Sequence, residues 1–164
     1  MNMRLPRRSL LVLGVALVSA AAAFAIASIS NAAPKSTPLH GTFGNIANFF
    51  APVCTSRTGV CSSFTATGII NGDGVVFIDT RPDANGISQA HTVIHTNKGD
   101  LTCSEFAIFN LTRGDHPFVD LCMITGGTGR YARASGYIQE NGTFDFASNQ
   151  GEADYSGKIE YGDG

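Results

Sequence analysis

From residue 34 onward, apolar positions never hold a 3.6-residue period over a useful length. Short runs rich in Val, Ile, Thr, Phe and Tyr alternate instead with clusters of Gly, Asn, Asp and Pro, the pattern of strands joined by turns. The spacing predicts strands at 41–50, 62–71, 74–81, 88–97, 100–111, 117–125, 134–147 and 151–161. Asn71-Gly72-Asp73-Gly74 offers residues that tolerate positive φ, as a tight hairpin requires. Pro82-Asp83-Ala84-Asn85-Gly86 starts on a fixed φ and ends on a permissive glycine. Asn97-Lys98-Gly99-Asp100 and Arg113-Gly114-Asp115 read as similar turns, and Asn141-Gly142 as a turn or a bulge in a long bent strand. Successive hairpins make a meander. About eight strands in this length suit a single eight-stranded antiparallel β-barrel, since closure removes exposed edges. A two-sheet sandwich is the runner-up.

The cysteines tighten this picture. Cys54, Cys61, Cys103 and Cys122 are an even set, as expected of a disulfide framework in an exported domain. Four cysteines allow three connectivities; the favoured one pairs Cys54 with Cys61, closing a short loop, and leaves Cys103–Cys122. If Cys103 directly opposes Cys122 on antiparallel strands, the turn falls near Thr112-Arg113. Glu105 then opposes Asp120, Ala107 opposes Phe118, Phe106 opposes Val119 and Ser104 opposes Leu121. The Phe106 face is the more apolar and is assigned to the core, which leaves Glu105 and Asp120 solvated. Were their face buried, one carboxyl of the pair would be raised in pKa and fit for proton transfer.

The first 33 residues stand apart. Arg4, Arg7 and Arg8 precede an apolar run from Leu10 to Ile29, followed by Ser30-Asn31-Ala32-Ala33-Pro34. This order reads as a signal peptide, cleaved after Ala32 or Ala33, though the run is also long enough for an uncleaved anchor. Arg7-Arg8-Ser9-Leu10-Leu11 resembles a bacterial twin-arginine signal. The expectation is a secreted domain spanning 34–164, without stable membrane association after cleavage. Of 164 residues, 43% are hydrophobic and 15% charged, which excludes a disordered chain and fits one domain. Removing residues 1–33 takes three arginines and no acid, leaving eight basic and thirteen acidic residues, about −5 net. That charge gives no drive towards nucleic acids.

Candidate chemistry is sparse. Gly127-x-Gly129-x-x-Ala132 fits a relaxed dinucleotide fingerprint, but a strand-like sequence follows where a helix is needed. There is no Walker A closure and no Gly-x-Ser-x-Gly elbow. No C-x-x-C pair or finger-spaced histidine predicts zinc, so no metal is expected. His91 and His95 would share a strand face about 13 Å apart, too far to ligate one ion. If that face lines the lumen, each is a neutral-pH acid or base. Asn110-Leu-Thr112 and Asn141-Gly-Thr143 match glycosylation acceptors of a eukaryotic secretory route.

The most specific stretch is Ile124-Thr-Gly-Gly-Thr-Gly-Arg-Tyr-Ala-Arg-Ala-Ser-Gly-Tyr137. It continues to Gly142-Thr-Phe-Asp145 and Tyr155-Ser-Gly-Lys-Ile159. This resembles the allene oxide cyclase-like barrel superfamily, which includes plant dirigent proteins and bacterial secreted relatives. Thr65-Ala-Thr-Gly68 before Gly72-Asp-Gly74 is similar to early hairpins of the bacterial members. The glycines then form a positive-φ turn at the barrel rim. The resemblance implies an eight-stranded barrel around an apolar cavity, binding a small hydrophobic molecule without a cofactor. It leaves a homo-oligomer open, since some plant members are trimers. A cyclase or isomerase is one version of that function, with His91, His95 and Glu105 as polar candidates and Tyr137 as an aromatic wall. The rivals are a non-catalytic carrier and an interaction scaffold whose lumen is filled by side chains such as Phe106 and Phe144. Fold alone does not choose among these.

Overall fold

A computed structural model describes residues 35–162 of the chain; the expected signal peptide lies outside them. Eight strands follow one another: β1 (Ser36–Phe50), β2 (Val60–Gly68), β3 (Gly72–Thr80), β4 (Ile87–Thr96), β5 (Gly99–Phe109), β6 (Pro117–Gly127), β7 (Ser135–Asp145) and β8 (Gln150–Glu160). Each pairs antiparallel with the next and β8 pairs with β1, closing a barrel. The expected strand count, order and barrel class all hold. The first strand begins five residues early, and a bulge between Gly44 and Ala47 bends it into both neighbours.

The turns form where Gly, Asn and Asp cluster, with two differences. The β2–β3 reversal sits at residues 69–71, so Gly72-Asp73-Gly74 belong to β3. Asn141 and Gly142 are neither turn nor bulge, because β7 runs through them in register with both neighbours. In the β3–β4 loop, Asp83 Oδ1 accepts from the N–H groups of Asn85 (2.8 Å) and Ile87 (3.0 Å), the Asx turn its sequence favours.

Side-chain alternation divides the lumen into two halves. The end bearing the β2–β3, β4–β5 and β6–β7 connections is packed. Leu39, Ile94, Leu101, Ile138 and Ile159 fill it, each 3% exposed or less. The glycine-rich stretch closes this end. Gly129 has φ 54° and passes over the Lys98 carbonyl oxygen, where a Cβ has no room. The 3-10 turn Gly129–Tyr131 then drops Tyr131 into the core. The expected rim turn is present, and it works as a plug. Tyr155 secures the neighbouring turn, its hydroxyl accepting from Ile70 N–H (3.0 Å) and donating to the Thr67 carbonyl (3.1 Å).

Both expected disulfides form, with Cα–Cα distances of 5.6 Å for Cys54–Cys61 and 5.4 Å for Cys103–Cys122. The β5–β6 register differs by two residues from direct cysteine opposition. Cys103 faces Ile124, Glu105 faces Cys122, Ala107 faces Asp120 and Phe106 faces Leu121. The bridge is therefore diagonal. The two-residue slip keeps every side chain on its face and recentres the turn on Arg113-Gly114.

The assignment of faces is reversed. Cys103, Glu105, Asp120 and Cys122 point inward and are buried, while Phe106, Leu121 and Met123 are 42–50% exposed on the outer wall. Counting apolar residues favoured the wrong face. The disulfide marked the right one, since half-cystines are among the most buried residues.

Candidate functional site

Above the packed half, around the opposite strand ends, the lumen holds a cavity of about 530 Å³. Its wall is apolar, built from Phe64, Val76, Ala107, Phe109, Phe118 and Phe144, and its rim includes Phe50, Arg81 and Asn149. The wall follows from period-two alternation: Ala107 and Phe109 project inward from β5, and Phe144 from β7. The rim is braced by polar contacts. Asn48 N–H donates to Asn149 Oδ1 (3.1 Å), Asn149 Nδ2 donates back to the Asn48 carbonyl (3.0 Å), and Ser62 Oγ donates to Asn48 Oδ1. Arg81 Nη2 donates to the Thr58 carbonyl (3.2 Å).

Three carboxyls form the floor. Glu105 from β5, Asp120 from β6 and Glu140 from β7 occupy inward positions near mid-barrel, each 8% exposed or less. One oxygen of each lies within 4.8 Å of the others. Thr92, 2% exposed on β4, brings a hydroxyl beside Glu105 that biases it towards the charged form yet has no hydrogen-bond partner of ordinary geometry. Asp120 Oδ1 is likewise unpartnered.

The acids share a shortage of neutralising partners. Burial, then the charge of Asp120, pushes Glu105 well above its ordinary range. Burial, then the charges of Glu105 and Asp120, does the same to Glu140. Asp120 rises from 3.8 to about 6, again chiefly by burial, with the backbone at Leu121 and Phe106 pulling the other way. Like charges this close in a buried site disfavour one another's ionisation. The trio therefore titrates as a unit, and while it does so a protonated carboxyl stands next to a carboxylate. Such a floor can give a proton to one atom of a bound molecule and take one from another. Among the described residues Arg81 is the only basic one on the cavity lining, at the far rim.

The site residues expected from sequence separate sharply. Glu105 is in the lumen, but on the face thought to be solvated. His91 and His95 are on the outer wall, so the condition for lumenal acid–base work fails. His91 Nδ1 lies 2.9 Å from Asp79 Oδ2 and stacks on Phe77, and His95 Nδ1 lies 2.8 Å from Asp100 Oδ1. Tyr137 is 37% exposed on the outside and is no part of the cavity wall. Phe106 is outside too, whereas Phe144 lines the cavity without filling it. Sequence reading noted Asp120 only as a partner of Glu105 and missed Glu140 and Thr92. Glu140 had a signal: it shares the alternate-residue face of Ile138 and Phe144, both apolar.

No family model, curated protein or solved structure matches this chain.

Proposed function

We propose that this is an exported barrel that takes a small hydrophobic molecule into its half-open lumen and rearranges it by proton transfer. In this reading it is a cofactor-independent isomerase or cyclase. The observation that carries it is an apolar cavity ending on three buried carboxyls. A volume near 530 Å³ falls within the usual range for small-molecule sites. A non-catalytic barrel would gain stability by filling such a space with apolar side chains and by avoiding buried acids. The reaction needs no redox partner. A protonated carboxyl donates to an oxygen or double bond of the ligand, the ligand loses a proton elsewhere, and a neighbouring carboxylate accepts it.

The resemblance of Ile124–Tyr137 to allene oxide cyclase-like barrels supports the same assignment, as do the closed eight-strand topology and the plugged rim. Two disulfides suit an oxidising, extracytoplasmic location, in keeping with the Arg-rich, apolar N-terminus as an export signal.

Native mass spectrometry of the protein from its host's secreted fraction tests this. The expected result is an adduct of a few hundred daltons, much reduced by Ala107→Phe, which puts a bulky ring into the cavity. Wild-type protein should then convert the identified compound, while Glu105→Gln should bind it and convert it at least about 100-fold more slowly. Binding without conversion by the wild type would make the protein a carrier. A clean mass after exposure to host lipid extract would overturn the ligand reading.

A further inference from the structure

The cavity floor has a second capacity, separate from proton transfer. Three carboxyls converge there from adjacent strands, and none forms an ion pair with a basic side chain among the described residues. Beside them, Thr92 is 2% exposed, and its hydroxyl, which lies next to Glu105, makes no hydrogen bond of ordinary geometry. A buried polar group left unpaired costs stability. Here the unpaired hydroxyl adjoins a cluster of oxygens that also lacks counter-charge. Three carboxyl oxygens thus converge, with the Thr92 hydroxyl flanking them beside Glu105.

The donor chemistry narrows the occupant. All the donors are hard oxygens. The four cysteines are locked in disulfides, and His91 and His95 are outside the barrel. Zinc and copper favour nitrogen or sulfur, whereas carboxylate and hydroxyl oxygens suit calcium, magnesium or manganese. Coordination narrows it further. Oxygens lying within 4.8 Å of one another are close enough to share one ion. Three carboxylates with a hydroxyl suit calcium's flexible sphere of about six to eight oxygens better than magnesium, which keeps several waters and takes one or two carboxylates.

We propose that Glu105, Asp120, Glu140 and Thr92 bind one calcium-sized divalent cation at the cavity floor. Three carboxylates can supply up to six oxygens and Thr92 a seventh, and cavity water can complete the sphere. The cation would bridge β4, β5, β6 and β7 across mid-barrel.

Isothermal titration of the secreted protein with CaCl2, together with its melting temperature in the same buffer, tests the site without any hydrophobic ligand. Its failure would leave the ligand reading standing, and the reverse also holds. The expected result is one Ca²⁺ per chain, a saturable rise in melting temperature, and a weaker response to Mg²⁺. Glu140→Gln should weaken Ca²⁺ binding at least about tenfold, and Thr92→Val, which keeps the shape, several-fold. Absence of heat and of any thermal shift up to about 10 mM Ca²⁺, beyond the affinities of weak extracellular sites, would overturn the proposal. Equal shifts in wild type, Glu140→Gln and Glu105→Gln would overturn it too, by placing the ion on surface carboxylates.

Discussion

Glu105, Asp120 and Glu140 govern how the fold responds to pH. Their folded pKa values are raised, Asp120 to about 6 and both glutamates well above 4.5. Each is more readily protonated in the fold than in the unfolded chain. Their contribution is fully present below pH 4 or so, and it is lost as pH rises through about 6 and beyond. Asp83 and Asp145 act in the opposite sense. Asp83 is held low by the N–H groups of Ile87 and Asn85, and Asp145 by the Ser148 hydroxyl and the Ala147 N–H. Both lie at the surface, and their contribution fades only as pH falls through the ordinary carboxylate range. Calorimetric melting should therefore peak in mild acid and decline towards pH 8 in metal-free buffer. Glu140→Gln should flatten that decline and stabilise the protein at pH 8 by on the order of 1–2 kcal/mol. A steeper decline in the variant would contradict the account of a shared charge burden. Little of this was readable from single residues. Glu105 and Asp120 were seen as neighbours, but a carboxylate in a strand is ordinarily solvated. Nothing local distinguishes Glu105 from Glu152, which stays largely outside.

Among the elements, turns were far more legible than faces. Local chemistry dictates a turn: Asp83 caps its own loop, and Gly129 adopts a φ of 54° that side-chain-bearing residues resist. A strand's inward face depends on what lies across the barrel. On β5 and β6 the outer side carries Phe106, Ile108, Val119, Leu121 and Met123, all at least 42% exposed, so hydrophobic patterning pointed outward. The β2–β3 turn is held by a contact no local pattern contains, the Tyr155 hydroxyl reaching back to Ile70 and Thr67 across 85 residues or more. Tyr155→Phe leaves the Ile70 N–H buried without that partner. It should cost roughly 1–3 kcal/mol in urea denaturation, with little effect on ligand binding at the opposite end.

For the molecule as a whole, closure and cross-linking act together. Cys103–Cys122 spans 19 residues and lies in the packed core, whereas Cys54–Cys61 spans 7 and ties a loop. Loop-closure entropy alone makes the longer bridge worth roughly 3 kcal/mol and the shorter about 2.5. Loss of core packing adds to the first. The double variant Cys103→Ala/Cys122→Ala should thus fall further in denaturation midpoint than Cys54→Ala/Cys61→Ala. The reverse order would mean that the loop, and not the β5–β6 hairpin, dominates stability. Closure also produces the site. Glu105, Asp120 and Glu140 lie 15 and 20 residues apart in sequence. They meet because β5, β6 and β7 are neighbours whose inward positions align at one height.

By itself the sequence determined eight strands in meander order, an even set of cysteines with one preferred pairing, and where most turns fall. Period-two patterning, turn chemistry and cysteine spacing all act over short distances along the chain. Only the tertiary structure decided that one half of the lumen is packed and the other hollow. It also turned the apolar side of β5–β6 outward and gathered three acids beneath the cavity. Those outcomes depend on register and barrel closure, where a side chain's environment comes from strands remote in sequence, so a pattern read locally cannot resolve them.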